Sequence, residues 1–376
     1  MPSICDLFVS TCLFLLPIIA QAVRFLTNFE QRQNIFHGAD CTLAVIMTTM
    51  ISLQVCVNRE EWDDYVLENQ GHPLQLWGWG DVKSAHGWST ERLLAYDLDK
   101  QPIGAAQLLI RRLPWPFRSL VYIPRGPVDG AGQASDLLEA LGNYAKSQHH
   151  AVVLTIEPDW VDLPQLPRGW KQSDNTILIP RTVILDLNKS EDDLLSVMSK
   201  KTRQYIRKSS GEDIMIKRVK TADDLAQCMA IYHDTANRAG FALHGDDYYY
   251  DIFADLGEAS PVFAAYEGET IVAFLWLAIS AHTAFELYGG QNDRGQELRA
   301  NYALKWHAIT KTREWGIERY DMNGLLNDGI STFKQSFADH EDMLVGTYDK
   351  PLSPLYIAWT KALPYGKKLI RAIKRR

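Results

Sequence analysis

With 376 residues, 46% of them hydrophobic, the chain is long enough to build more than one hydrophobic core. A formal net charge of -7 excludes wholesale coating of a nucleic acid, so any polyanionic partner has to be met by a local basic patch. Cys5, Cys12, Cys41 and Cys56 precede a lone Cys228, a spacing that makes neither a disulfide framework nor a zinc site and suits a reducing, cytoplasmic compartment.

In chain order, Ile4 to Val23 is apolar and carries near its end Ala20-Gln21-Ala22, which imitates a signal-peptidase site. No Lys or Arg precedes the run, and Asp6 and Pro17 interrupt it, so the basic n-region of a secretory signal is missing. Met47 and Met50 stand just before the first strand-like segment, and residues 1–50 are expected to be an extension outside the fold. Ser52 to Val57 reads as a strand and Arg59 to Asn69 as a helix through Trp62, Tyr65 and Val66. Leu93 to Asp97 and Gly104 to Arg111 read as one antiparallel hairpin. Leu137 to Gln148 has amphipathic helical spacing, and Ala151 to Glu157 is a buried strand. Pro158, Pro164, Pro167 and Pro180 then punctuate a linker of the kind found at domain boundaries.

The second half repeats the pattern in kind. Thr182 to Asp186 is a predicted strand, Ser190 to Ser209 one long helix with an acidic start, Ile214 to Val219 a strand and Ala222 to Ala239 a helix. Val262 to Tyr266, Ile271 to Ile279 and Ala284 to Tyr288 form a meander, followed by a helix over Asn301 to Trp315 and a strand over Arg319 to Met322. The fold class is therefore α+β, with a mixed and largely antiparallel sheet in each half.

Four segments in order, LQLWGWGDVK (Leu74 to Lys83), VYIPRGPVD (Val121 to Asp129), SKKTRQYIRKS (Ser199 to Ser209) and STFKQSFADHEDMLVGTYDKPL (Ser331 to Leu352), stand with ELYGG at Glu286 to Gly290. Together they resemble the Fem family (FemABX) of peptidoglycan-bridge aminoacyl and peptidyl transferases, over roughly residues 51–369. The resemblance implies two tandem GNAT-like (acyl-CoA N-acyltransferase-like) domains: residues 51–175 with 346–376 as the precursor-binding one, and 176–345 as the second. It implies transfer of an amino acid from aminoacyl-tRNA to the third-residue side-chain amine of a peptidoglycan stem peptide, with a UDP-linked or lipid-linked muramyl pentapeptide as acceptor, a monomeric enzyme, and neither cofactor nor metal. Some members carry a helical-hairpin arm. The stretch between Ile206 and Ala222 is too short for one, so the chain resembles the compact, armless, FemX-like type.

Site residues follow from the same motifs. The resemblance implies that Lys83 pairs with precursor phosphates, a task that suits a mobile ammonium, although a solvated surface lysine has the same sequence appearance. Tyr122 and Arg125 flank a proline whose stiff backbone suits a binding wall, or simply a rigid turn with Arg on its rim. Tyr248 matches a ligand-facing tyrosine of the family, whereas His244 stands in place of a phosphate-binding arginine and reads more as a structural residue, because a neutral imidazole donates one hydrogen bond only. Tyr288 beside its glycines is expected to line the cleft, and Asp321 and Asn323 lie in a DMNG segment that reads equally as a turn. Lys334, in the diagnostic Phe-Lys dipeptide, is the implied catalytic residue: a cation placed where charge develops on the attacked ester carbonyl. Asp129 and Asp321 are the candidate general bases.

The C-terminus alternates Leu369, Ile370 and Ile373 with Lys367, Lys368, Arg371, Lys374, Arg375 and Arg376, a basic amphipathic helix suited to anionic lipid, to tRNA phosphates or to plain solvation. Two rival readings remain at this point. One is a CoA-dependent N-acyltransferase, against which QNDRGQELRANYAL offers Gly295 but no second glycine in the pyrophosphate-binding frame; the other is a non-catalytic, membrane-associated binding protein. The transferred amino acid, its number and the choice of acceptor are not readable from these residues.

Overall fold

The computed structural model describes residues 51–211, 214–326 and 328–373, with side chains as far as residue 364. The leader of residues 1–50 and the basic side chains from Lys367 to Arg376 lie outside the described residues. Among the described residues no helix is long and apolar enough to cross a membrane.

The first sheet begins with β1 (Ser52–Val55), followed by helices α1 (Arg59–Glu68) and α2 (Trp77–Ala85), and continues through β2 (Ser89–Tyr96), β3 (Pro102–Arg112) and β4 (Ser119–Pro124). A short β5 (Val128–Asp129) pairs with β3, and helix α3 (Ala134–His149) leads into β6 (Ala151–Glu157). The first strands pair antiparallel in succession, and β6 then joins β4 in parallel, a pairing that requires the crossover α3 supplies. Leu137, Leu138 and Leu141 of that helix pack on Leu93, Leu108, Val121 and Ile156, as its apolar spacing demands.

After β7 (Lys171–Gln172), β8 (Arg181–Thr182) and β9 (Ile184–Asp186) come α4 (Glu191–Val197), α5 (Lys200–Ser209), β10 (Ile214–Arg218), α6 (Ala222–Ala239) and α7 (Asp246–Leu256). The second meander is β11 (Val262–Glu267), β12 (Thr270–Ile279) and β13 (Thr283–Gln291), with α8 (Asp293–Leu298) and α9 (Ala300–Glu314) crossing to β14 (Arg319–Asp321). Here too the antiparallel strands β10 to β13 are followed by a helix-connected parallel partner, β14 against β13. The chain ends with α10 (Gly329–Gln335), β15 (Asp342–Met343), β16 (Tyr348–Pro351) and α11 (Tyr356–Ile373). Strand β16 returns to pair with β6 and β7 in the first sheet, while β9 occupies the matching position beside β14 in the second. Both halves are thus α+β units with a mixed, largely antiparallel sheet and the same strand logic.

Two expected elements are broken. The single helix over Ser190 to Ser209 is two, because Met198 turns extended (ψ 152°) to bury its side chain and Ser199 starts a new helix by accepting the Thr202 amide at 3.1 Å. The strand over Thr182 to Asp186 divides between two partners, with β8 on β15 and β9 on β14. Where an arm would stand, the connection from α5 to α6 holds, among the described residues, no regular element besides β10.

One contact positions the site. Helix α2 of the first half lies on α7 of the second, and a Cβ at Gly78 would meet the Asp255 carbonyl oxygen at 2.4 Å. Glycine lets the two backbones touch. Leu74, Trp79 and Val82 consequently join a core made otherwise of second-half residues such as Tyr232, Tyr249 and Phe274.

Candidate active site

The last turn of α2 carries Lys83 into this junction. Its side chain is 6% exposed, its Nζ donates to the Tyr248 hydroxyl at 2.6 Å, and it lies 4.6 Å from the Trp79 ring centroid and 4.8 Å from that of Tyr248. A buried ammonium is expensive unless its charge is met, and the aromatic faces and phenol oxygen meet it while fixing its place. His244 stacks on the Tyr248 ring at 3.9 Å. Lys83, Tyr248 and His244 share a cavity of about 210 Å³ with Trp79, Tyr122, Tyr288 and Asn323.

Tyr122 reaches that cavity from β4. Its hydroxyl donates to Glu157 at 2.6 Å, and the same carboxylate accepts the amides of Ile177 and Leu178 and the Thr347 hydroxyl. Burial pushes the Glu157 pKa up, opposed by these donors, beginning with Tyr122. The carboxylate thereby ties Ile177 and Leu178, another part of the cavity wall, to the first sheet.

A larger cavity of about 460 Å³ opens beside it, and Tyr232, Leu287, Tyr288 and Asn323 line both. Its origin lies in β13, which pairs with β14 only over Thr283 to Phe285, so that Glu286 to Gln291 continue past β14 and leave a wedge. The register of β13 also slips, from Trp276 opposite Tyr288 to Leu277 opposite Glu286. This bulge at Leu287 turns Tyr288 toward Tyr232 and Tyr249 while Glu286 turns toward α9.

Lys334 lies at the far wall of the larger cavity, on α10, whose start Asp328 caps by accepting the Ser331 amide. Its Nζ donates to the carbonyl oxygens of Asn323 and Gly324. Those carbonyls are aimed by a left-handed turn, with φ of 53° at Asn323 and 52° at Gly324. Asp321 holds the turn by accepting the Asn323 amide at 2.8 Å, and the Asn323 side chain donates to the Glu286 carbonyl oxygen at 2.9 Å. Burial lowers the Lys334 pKa to about 8, with the Glu286 charge opposing the fall and the Lys305 charge adding to it.

Glu286 and Lys305 were not singled out by the sequence, yet they line this cavity as a buried ion pair. Lys305 donates to both carboxylate oxygens, at 2.6 and 2.8 Å, and the Tyr320 hydroxyl donates to the same carboxylate at 2.8 Å. The available clue was a lysine among the inward positions Leu304, Ala308 and Ile309 of α9, where helical spacing asks for an apolar residue.

The structure therefore brings Lys83, Tyr122, His244, Tyr248, Tyr288, Asn323 and Lys334 onto two joined cavities. Three expected site residues lie elsewhere. Arg125 is no rim residue: it is 3% exposed, outside both cavity linings, with its guanidinium 5.8 Å from the Phe285 ring. Asp129 accepts the Gln133 amide at 2.9 Å before α3, so this carboxylate helps to start a helix. Asp321 is fully buried and accepts the Thr182 hydroxyl as well as the Asn323 amide, so it supports the lysine-bearing wall from behind.

His72, Asp159 and Asp321 cluster closely enough to suggest a metal site. Their chemistry does not fit one. His72 Nδ1 accepts the Leu74 amide, which leaves the ring proton on Nε2, and Asp159 is paired with Arg319. Burial and then the charges of Arg125 and Arg319 push the His72 pKa down, a surrounding equally unfavourable to a metal cation. The stretch weighed for CoA is no better suited to pyrophosphate: the Gly295 amide is bound to the Asn292 side chain, and Asp293 stands in the first turn of α8.

Comparison with known proteins agrees with the architecture. The lipid II:glycine glycyltransferase of Staphylococcus epidermidis is 21% identical over 398 residues, covering 82% of this chain and 95% of that protein. The protein of the same description from Staphylococcus aureus is 28% identical over 305 residues, covering 76% and 67%. The crystal structure of FemX shares the fold with a TM-score of 0.72 at 19% identity, covering 82% of this chain and all of that one. The C-terminal domain of a putative lysylphosphatidylglycerol synthetase from Agrobacterium fabrum matches more loosely, with a TM-score of 0.51 at 11% identity over 81% of this chain and 95% of that one. The FemAB family model matches residues 57–179, 169–266 and 254–364, and the chain belongs to the FemAB family.

Proposed function

We propose that this protein is an aminoacyltransferase of peptidoglycan interpeptide-bridge formation, moving an amino acid from aminoacyl-tRNA to the third-residue side-chain amine of a muramyl pentapeptide. The observation that carries the reading is the junction of the cavities at Tyr288 and Asn323, with Lys83 on one side and Lys334 on the other. Residues 51–175 with 346–376 then act as the acceptor-binding unit and residues 176–345 as the donor-binding unit. Lys83 and its aromatic neighbours take the phosphate-bearing end of the precursor, and the aminoacyl ester enters beside Lys334.

The chemistry needs little beyond alignment and charge. The neutral acceptor amine attacks the ester carbonyl, the carbonyl electrons move onto oxygen, and the tetrahedral intermediate collapses to an amide with release of the tRNA ribose hydroxyl. The amine proton leaves with that hydroxyl or to solvent. Lys334 stabilises the transient oxyanion, a contribution of about 3 kcal/mol for one well-placed donor. Holding amine and ester together supplies the remainder by converting an encounter into an intramolecular step. Use of charged tRNA puts the reaction in the cytoplasm, at the inner face of the membrane if the acceptor is lipid-linked.

The test incubates purified protein with pooled aminoacyl-tRNA and, separately, UDP-linked and lipid-linked muramyl pentapeptide, and weighs the products. A mass gain of one or more aminoacyl residues on either acceptor is expected. Unchanged masses with both acceptors, together with acyl transfer from acetyl-CoA to a test amine, overturn the reading.

A further inference from the structure

Helix α5 contributes to neither cavity, although it is the most basic segment described in a chain of net charge -7. Its sequence KKTRQYIRKS contains no carboxylate. Arg203 is committed internally, donating to the carbonyl oxygens of Leu195, Ser196 and Met198, but Lys200, Lys201, Arg207 and Lys208 are exposed. Lys201, Tyr205 and Lys208 follow helical spacing and therefore share one stripe.

That stripe continues to the cavity. Tyr205 has the Lys201 ammonium 5.5 Å from its ring centroid and the Arg299 guanidinium 4.4 Å away. Tyr205 meets Tyr302 edge to face at 5.0 Å, and Tyr302 meets Phe333 at 5.0 Å. Phe333 and Lys334 are adjacent residues of the cavity wall, and Gln296 and Asn301, on either side of Arg299 in the chain, line the same cavity. We infer that the α5 stripe of Lys201, Tyr205 and Lys208, extended by Arg299 and Tyr302, is the docking surface for the acceptor stem of a tRNA, guiding its single-stranded 3′ end toward Lys334.

The inference deepens the aminoacyl-tRNA reading above and rests on it. Cations spaced along a helix match a phosphate backbone, and aromatic rings interleaved with cations match unpaired bases, which stack on them with little regard to sequence. An anionic membrane fits less well. Surface insertion needs an apolar helical face, and the inner face of α5, with Thr202, Ile206 and Ser209, is buried in the protein.

The test uses the full chain and a fluorescent RNA hairpin copying an acceptor stem with its unpaired 3′ end, titrated over a salt series, beside phosphatidylglycerol vesicles. Lys201→Ala/Lys208→Ala is expected to weaken RNA binding roughly tenfold or more and to flatten the slope of log affinity against log salt by about two, one unit for each lost phosphate contact. Lys201→Arg/Lys208→Arg keeps both. Transfer from full-length aminoacyl-tRNA falls in the alanine variant, while transfer from an aminoacyl-dinucleotide, too short to reach α5, does not. Unchanged RNA affinity and slope in the alanine variant, or loss of vesicle binding with RNA binding intact, overturns the assignment. If these lysines carry RNA binding but the wild-type protein extends no precursor, the docking surface stands and the transfer reading fails. If wild type and alanine variant both extend the precursor and bind RNA identically, the transfer reading stands and the docking surface fails.

Discussion

The ammonium of Lys83 and the hydroxyl of Tyr248, 2.6 Å apart, join a helix of the first half to a helix of the second, with the lysine enclosed between the rings of Trp79 and Tyr248. These contacts fix the position of the cation, and on the proposed function a precursor phosphate would bind to it there. Lys83→Met is expected to raise KM for the precursor by about 10- to 100-fold, the range of a hydrogen bond to a charged group, with little change in kcat. Steady-state kinetics with precursor varied checks it; a fall in kcat at constant KM would remove Lys83 from acceptor binding.

Lys334 is expected to act in the opposite sense. On the proposed function, in which the ammonium acts chiefly when charge builds on the ester oxygen, Lys334→Met is expected to lower kcat by about 10²–10³-fold and to leave precursor affinity unchanged. As its pKa is lowered to about 8, the wild-type rate should decline on an alkaline limb near that pH. Lys334→Arg, where active, should lose that limb, since a guanidinium does not titrate there. A pH-rate profile of single turnovers decides.

Stability shows the cost of this burial. The unfolded chain keeps the Lys334 proton to the ordinary lysine value of 10.5, whereas the folded protein releases it near 8. Between those values the unfolded state binds more protons, so stability rises with pH across the window and the penalty is fully present below it. Lys334→Met is therefore expected to be more stable than wild type by roughly 1–3 kcal/mol at neutral pH, an advantage that shrinks through pH 8 and is gone above about 10.5. Urea unfolding at neutral and alkaline pH measures both ends.

Glu286 and Lys305 form a pair whose separation should be costly. Lys305→Met or Glu286→Gln alone is expected to destabilise by about 3–5 kcal/mol by stranding a buried charge or its polar partners, and the double variant should recover part of the loss. The same variants move the alkaline limb of Lys334 in opposite directions. Removing the Lys305 charge shifts it up and removing the Glu286 charge shifts it down, following the sign of each influence on Lys334. Identical shifts from both variants would show that the pair does not act on Lys334 by charge.

Gly78→Ala tests the seam between the halves. The added methyl carbon would lie 2.4 Å from the Asp255 carbonyl oxygen, so α2 and α7 must separate. Overpacking of this kind costs about 1–3 kcal/mol, and the separation should also stretch the Lys83–Tyr248 contact and raise KM for the precursor. A destabilised variant with unchanged KM would place the acceptor site away from this seam.

Hydrophobic period marked the central strands and the long helices, such as Ala134–His149 and Ala222–Ala239, because burying one face forces apolar residues into that period. Motif order likewise singled out Lys83, Tyr288 and Lys334, which line the two cavities. Local pattern failed where a tertiary event intervened. The bulge at Leu287 sends Glu286 and Tyr288 to opposite sides of the sheet, although two-residue spacing puts them on one. Arg125 and Asp129, expected at the site, lie outside both cavity linings, because polar residues beside a rigid turn have the same sequence appearance whether they face a cavity or a helix start.

Sequence alone thus determined the family, the α+β class and which lysines to watch, since these depend on residue type and order along one chain. Only the tertiary structure decided that Lys83 and Lys334 open onto cavities sharing Tyr288 and Asn323, and that Lys334 is held by carbonyls of a left-handed turn. The physical reason is distance along the chain: Lys83 meets Tyr248 across 165 positions, and no local propensity encodes a contact that exists only after two sheets have folded and docked.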